Sequence, residues 1–406
     1  METKSANQMS QKKVLLAFSG GLDTTYCTLY LEQLGYEIHT VTVNTGGFSL
    51  AELEKLANRS AELGAVSHKN VDVTEEFYQK CIKYLIAGNV LKNNTYPLSV
   101  SAERAFQAKA IAEVAIALDV EAIAHGSTGA GNDQVRFDMI FNIMCPEKEI
   151  ITPIRDNKLS REEEIQFLIE NGVSGNWEKS LYSINQGLWG TSVGGKETLT
   201  SDQYLPDEAF PSQLKKDGSE VVEIIFEKGE PVGLNGEALT SVQTIEKLNE
   251  IANQYAIGRD IHVGDTVIGI KGRVGFEAAA PVILIKAHHT LEKHTLTKNQ
   301  LLIKDQLSLT YGNLLHEGHY LDPVMRDLES FYDNTQQYVT GVVKVRLAPY
   351  RFYVEGITSE HDLMQSSFGK YGEMNNSWSG DDVKGFSKIF GNQNMIHHKV
   401  HQGSNG

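Results

Sequence analysis

Apolar positions follow two rhythms along this chain. Short continuous apolar runs ended by turn residues predict buried strands, and residues recurring at three- and four-residue steps predict helices. Val14 to Phe18 is such a run, stopped by two glycines. From Thr24 to Leu34 the spacing of Tyr26, Leu29, Tyr30 and Leu34 is helical, with Gly35 as the stop. "YEIHTVTVN" predicts a second strand, and "SLAELEKLANRSAELG" a second helix ending at Gly64. "HKNVDV" follows as a third strand, then "TEEFYQKCIKYLIAG" as a helix opened by Thr74 as N-cap. An Ala-rich helix in "SAERAFQAKAIAEVAIALD" leads to a strand in "EAIAH", and the S-x-x-E box Ser160–Glu163 opens a helix ending near Gly172. Strands alternating with helices imply an α/β fold: a parallel sheet covered on both faces, with right-handed crossovers.

Beyond about residue 174 the texture changes. A Gly/Ser-rich stretch is followed by a hairpin pattern in "EVVEIIFEKGEPVGLNG" and a helix near "VQTIEKLNEIANQYA". "APVILIKAHH" and "YVTGVVKVRLAPYRFYVEGI" read as β-rich. This mixture predicts a second, α+β domain over 174–365 after a first over 12–173. Residues 1–11 read as a disordered lead-in, and 366–406, polar and Gly/Asn-rich, as an arm that needs another surface to order it.

Composition narrows the function. The hydrophobic fraction of 41% is ordinary for a globular protein, and no apolar run is long enough to span a membrane. The polar N-terminus lacks the apolar stretch of a secretory signal. A net charge of −15 argues against a general nucleic-acid binder. Cys27, Cys81 and Cys145 form neither a metal motif nor a disulfide framework, which suits a reducing, cytoplasmic location. Cys27, near the glycines, reads as a small buried residue rather than a nucleophile. "HEGH", His316 to His319, falls one residue short of a zinc spacing, and the histidines are expected to serve surface or packing roles.

Two loops carry the chemistry. In "AFSGGLDTT" a strand ends in Ser19, Gly20 and Gly21 before a helix begins with Asp23, Thr24 and Thr25. Bare backbone N–H groups and a helix N-terminus at the carboxyl end of a parallel strand suit a phosphate or pyrophosphate. A tight turn capped by Ser or Asp is the alternative for this loop taken alone. Dinucleotide and Walker patterns are absent from it, and "GTSVGGKE" fails as a Walker loop because Glu197 replaces the hydroxyl. "AIAHGSTGAGNDQVRFDMIF" repeats the strand–loop–helix arrangement and crowds Asn132, Asp133, Gln134 and Arg136 into one turn. Such groups can grip a zwitterion, Arg136 and the hydroxyls taking carboxylates and Asp133 an ammonium.

The first loop resembles the pyrophosphate loop of N-type ATP pyrophosphatases, and "HGSTGAGNDQVRF" beside it is similar to the argininosuccinate synthase family. The resemblance is clear to about residue 192 and looser beyond. It implies an adenine nucleotide alpha hydrolase-like domain, a synthetase domain and a C-terminal oligomerisation arm in a homotetramer. It also implies ATP with Mg²⁺, the metal being held mostly by phosphate oxygens and not by protein side chains. Citrulline and aspartate would be the substrates: the ureido oxygen attacks the α-phosphate, pyrophosphate leaves, and the aspartate amine displaces AMP.

Carried over by motif, Ala17, Phe18, Ser19, Gly20, Gly21, Leu22, Asp23, Thr24 and Thr25 contact ATP, with Val43 on adenine. His125, Gly126, Gly129 and Gly131 form the other wall. Thr128, Asn132 and Asp133 hold aspartate. Tyr96, Ser101, Asn132, Arg136, Ser183 and Ser192 surround citrulline. Ser19, Asp133 and Arg136 are the expected catalytic set. Taken without the resemblance, Tyr96 reads as a core aromatic, and Ser183 and Ser192 as loop hydroxyls.

The match breaks at three places. "SVSAERA" keeps Ser101 and Arg104 but has Val100 where the family has a threonine. Gly264 and Phe276 stand where the family carries a glutamate and a tyrosine that reach citrulline. Either Asp265 or Glu277 substitutes for the lost charge, or the substrate is an Nα-acylated citrulline. Two further rivals are another adenylating ligase of the superfamily and a non-enzymatic nucleotide sensor.

Overall fold

The computed structural model describes residues 11–175, 177, 181–365, 371–373 and 377–402. The lead-in before Gln11 and parts of the C-terminal arm therefore lie outside the described residues.

The first half is the alternation the pattern predicts. Strand β1 (Lys13–Ala17) runs into helix α1 (Leu22–Gln33), β2 (Glu37–Asn44), α2 (Leu50–Glu62) and β3 (Ser67–Asp72). A helical stretch follows as Thr74–Phe77, a wider turn Tyr78–Ile82, and Lys83–Ala87. Next come α3 (Glu103–Ala117), β4 (Ala122–Ala124), α4 (Asp133–Met144), β5 (Glu149–Ile151) and α5 (Arg161–Glu170). All five strands pair in parallel, in the order β3-β2-β1-β4-β5. The chain steps outward from β1 to β3 and then crosses back to β4, on the other side of β1. The crevice beyond the carboxyl ends of β1 and β4 is thus a topological switch point, where such sheets bind ligands.

Helix α5 opens with the expected box: the Ser160 hydroxyl accepts from the Glu163 N–H, and Glu163 accepts from the Ser160 N–H. Thr74 is not the N-cap. The Asp72 carboxylate accepts the Thr74 N–H at 2.9 Å, and the Thr74 hydroxyl is buried without a partner. The helix begins at Thr74 itself with Val73 as its N-cap, so the Thr74 hydroxyl sits one residue too late to cap the first turn.

The remainder builds two antiparallel sheets. The hairpin β6 (Ser183–Gly187) and β7 (Gly190–Gly194) comes first. Then follow β8 (Glu220–Glu227), β9 (Glu230–Leu234), β10 (Glu237–Ala238), α6 (Ser241–Asn253), β11 (Arg259–Asp265) and β12 (Lys271–Glu277). Three helices, α7 (Ala279–Thr295), α8 (Lys298–Glu317) and α9 (Pro323–Thr335), precede β13 (Gly341–Ala348) and β14 (Arg351–Thr358). The sheets run β10-β9-β8-β13-β14 and β11-β12-β7-β6.

The β reading of "APVILIKAHH" is corrected, because it lies inside helix α7. Ala280, Ile283, Leu284, Ala287, His288 and Leu291 are all fully buried, and the apolar run Ala280–Ile285 is continuous up to the exposed Lys286. Periodicity cannot separate such a helix from a buried strand. Pro281 sits in the first turn, which tolerates a missing N–H.

Contacts divide the chain after Ser359. The unit from Glu360 contains α10 (Gly380–Phe390) and α11 (Asn392–Gln402).

Candidate active site at the carboxyl ends of β1 and β4

The loop leaving β1 is shaped by its glycines. Gly20 adopts φ +71°, and a Cβ there would lie 2.4 Å from Leu56 Cδ2. Gly21 caps α1 in extended conformation, with no side chain accepting from the first turn. The opening N–H groups of α1 are therefore left for a ligand. The Ser19 and Thr24 hydroxyls lie 3.3 Å apart, and Thr25 is fully buried with Oγ1 unpartnered. Phe18 is pinned behind the loop, its carbonyl accepting the Thr42 hydroxyl at 2.6 Å. Ala17 closes β1, Leu22 opens α1 as a buried residue, and Val43 is buried near the end of β2. Burial raises the pKa of Asp23, whose neighbour on α5, Glu164, is pushed up to about 8 by burial and by the Asp23 charge.

The second loop meets the first directly. A Cβ on Gly126 would lie 3.1 Å from Asp23 Cβ and 3.4 Å from the Thr24 nitrogen. His125 is buried and bonded to Asp138 at 2.8 Å, while its Nδ1 accepts from the Ser127 N–H at 3.3 Å. Gln134 donates to the carbonyls of Gly129 and Gly131, which ties the exposed loop containing Thr128 to the start of α4.

From that start a chain of polar contacts runs into the second half. Asp133 accepts from Arg104 Nε and from Arg136, each at 2.9 Å. Arg136 donates to the His316 carbonyl at 2.9 Å and lies 3.3 Å from His316 Nδ1. Arg104 also reaches Glu103 and Asn185, each at 3.2 Å. Burial raises the pKa of Asp133, but the charges of Arg104 and Arg136 outweigh it and hold the carboxyl below its usual range. Burial pushes Glu103 up to about 7 in spite of Arg104. Asn132 accepts the Val267 N–H at 2.8 Å, which anchors the turn between β11 and β12.

Register places the remaining residues. Residues directly opposite on antiparallel strands share a face. Asn185 pairs with Ser192, Ser192 with Phe276, Ser183 with Gly194, and Gly264 with Gly272. Ser183, Ser192, Phe276 and Gly264 therefore lie on one face of the β11-β12-β7-β6 sheet, along with His262. Tyr96 packs against that face, its ring centroid 5.0 Å from His262 and 5.3 Å from Phe276. Ser101 is buried with Oγ unpartnered.

Two expectations need correction. Asp265 and Glu277 do not replace a carboxylate at Gly264, because each is one residue out of step with that face and points the other way. Glu277 is bonded to Arg259 at 3.0 Å and to the Ser212 N–H, and Asp265 is exposed beside Lys271. Asp133 and Arg136, read as separate grips for an ammonium and a carboxylate, hold each other here. The sequence reading also missed Glu103, Asn185 and His262, and gave His316 no role in the site. Isolated polar residues far apart in sequence carry no spacing signal: the register of β6, β7, β11 and β12 gathers Asn185 and His262, while Glu103 comes from α3 and His316 from α8.

Comparison with known families identifies the two parts of the chain. Residues 13–174 match the argininosuccinate synthase N-terminal HUP domain, and residues 182–397 the argininosuccinate synthase C-terminal domain. An argininosuccinate synthase from Methanocaldococcus jannaschii is 36% identical over 95% of this chain and 98% of its own. One from Dictyoglomus turgidum is 37% identical over 96% and 98%, and one from Xanthomonas campestris pv. campestris 35% over 97% and 100%. The chain belongs to the argininosuccinate synthase family.

Proposed function

We propose that this protein joins citrulline to aspartate at the expense of ATP, forming argininosuccinate, AMP and pyrophosphate for arginine biosynthesis. The observation that carries the reading is the contact of Gly126 with Asp23 and Thr24, which makes one crevice of the two loops. The residues fit a nucleotide. Gly20 and Gly21 leave the backbone bare, α1 opens without a side-chain cap, and Thr25 Oγ1 has no partner among the described residues.

In the first step the ureido oxygen attacks the α-phosphorus and the bond to pyrophosphate breaks. Amides and hydroxyls between Ser19 and Thr25 take up the charge that grows on the leaving group. Mg²⁺ would enter on the phosphates. In the second step the aspartate amine attacks the ureido carbon and AMP departs. No protein nucleophile is needed, so catalysis rests on holding three ligands in line. Val43 lies against adenine, and His125, Gly126, Gly129 and Gly131 wall the nucleotide. Thr128, Asn132 and Asp133 orient aspartate. Tyr96, Ser101, Arg136, Ser183 and Ser192 surround citrulline, with Asn132 shared.

Argininosuccinate synthases align over nearly the whole chain, which favours this reading over a rival ligase, an acylated substrate or a non-enzymatic sensor. We place the enzyme in the cytoplasm as a homotetramer. Support for assembly comes from α10 and α11, which expose Val383, Phe386, Ile389, Phe390, Met395, Ile396 and Val400. The test is a coupled assay for pyrophosphate release and argininosuccinate. Sustained turnover only with ATP, citrulline and aspartate together is the expected result; turnover without citrulline overturns the reading.

A further inference from the structure

His262 is 5% exposed, and its Nδ1 has no hydrogen-bond partner among the described residues. A buried unpaired ring nitrogen is costly unless a ligand meets it. Its surroundings are shaped to hold the ring. Tyr96 stacks on it with an interplanar angle of 23°, and the His316 ring lies edge-on at 6.3 Å. A Cβ at Gly264 would lie 2.6 Å from His262 Nε2, so the bare Gly264 makes room for the imidazole.

The charge that acts on it directly is that of Lys92. Burial, and then the charge of Lys92, lower the pKa of His262 to about 4, so the ring is neutral at pH 7. His316 is held well below its usual value by burial, Arg136 and Lys92. Of the surrounding carboxylates, Asp133 is engaged by two arginines, Glu103 by Arg104 and Thr45, and Asp265 by Lys271, while Glu317 faces Lys92. An amino acid entering here finds cations for its carboxylate, while the free acceptor for the adjacent nitrogen is a neutral ring.

We propose that His262 is a specificity-determining residue whose Nδ1 accepts a hydrogen bond from the α-nitrogen of citrulline. The inference rests on the proposed ligase reading and adds to it the group that reads the substrate's head. Nδ1 is then the acceptor and Nε2 carries the proton. Gly264 takes part by leaving space, so Gly264→Ala should displace the ring and copy the loss of His262.

The test pairs a residue change with a substrate change. Citrulline and 5-ureidopentanoate, which lacks the α-amino group, are compared in wild type, His262→Phe and His262→Asn. Phe keeps the stacked ring without nitrogen, and Asn restores a polar group near Nδ1. Wild type should prefer citrulline in kcat/KM by roughly 10- to 100-fold, in line with a hydrogen bond to a charged group. In His262→Phe the preference should fall to about threefold or less with the KM for ATP unchanged, and His262→Asn should recover part of it. Equal preference in wild type and His262→Phe overturns the inference. Should His262→Phe fail to fold, ¹⁵N-histidine spectra of the wild type decide. Citrulline should shift the His262 Nδ1 resonance and 5-ureidopentanoate should not; no shift with bound citrulline overturns the inference. A wild type that makes no argininosuccinate fails the ligase reading instead, so the two failures are distinct.

Discussion

Asp133→Asn tests the polar chain between the two halves of the site. The substitution keeps the size of the side chain and removes one charge between Arg104 and Arg136, whose side chains are only 10% and 6% exposed. Exposed ion pairs contribute ~0.2–1 kcal/mol, and breaking a fully buried pair costs ~3–5 kcal/mol. Asp133 is 38% exposed, so solvent screening brings the expected loss down to about 2 kcal/mol. An unfolding entropy of roughly 2.1 cal/mol/K per residue over about 350 residues turns that into a fall in Tm of ~3 °C. The pH dependence has a definite sign. The carboxyl is held below its usual pKa in the folded state, so its contribution is complete at neutral pH. It is lost only as acid protonates the folded group, and the gap between variant and wild type should close below about pH 4. If the same energy is lost from the positioned turn, kcat/KM for aspartate and citrulline falls ~30-fold. Scanning calorimetry across pH and steady-state kinetics read both numbers. An unchanged Tm at pH 7 with kcat/KM within about twofold of wild type would refute the bridging role.

Three further outcomes follow from other parts of the chain. Gly20→Ala places a side chain at φ +71° and 2.4 Å from Leu56 Cδ2, a strain of ~1–2 kcal/mol; the KM for ATP should rise about tenfold with that for citrulline little changed, and unchanged ATP kinetics would count against the loop's role. Lys304→Met strands Glu292, its partner at 2.9 Å with both side chains fully buried; calorimetry should show a loss of ~3–5 kcal/mol without a change in KM. Glu164 has a folded pKa raised to about 8, so the folded state holds its proton at pH values where the unfolded chain has released it, and stability drains away between about pH 4.5 and 8. Glu164→Gln should therefore raise Tm more at pH 8 than at pH 5, and an equal shift at both would show that the carboxyl is ionised throughout.

The first half of the fold was legible because each element there announces its own ends. Gly35 and Gly64 stop helices, Ser160 opens one, and Ser19–Gly21 breaks β1 cleanly. The loops were legible for the same reason, since a run such as Gly131–Arg136 packs its chemistry into consecutive positions. Two things hid the second half. Helix α7 opens with the continuous apolar run Ala279–Ile285, and its polar stripe, Lys286, His289, Thr290 and Lys293, emerges only past that run. The β11-β12-β7-β6 sheet is assembled by pairing Ser192 with Phe276 and Asn185 with Ser192, and such pairing is invisible to local spacing. Gly264 looked like a loss in the sequence; in the fold it is the space that His262 occupies.

In the proposed reaction the ureido oxygen attacks the α-phosphate while the Ser19–Thr25 loop holds the departing pyrophosphate. Citrulline labelled with ¹⁸O in the ureido group tests it most directly, by mass spectrometry of the products after turnover with ATP and aspartate. The label should appear in the phosphate of AMP, one atom per argininosuccinate formed. Label absent from AMP, or ADP and orthophosphate in place of AMP and pyrophosphate, would contradict the account.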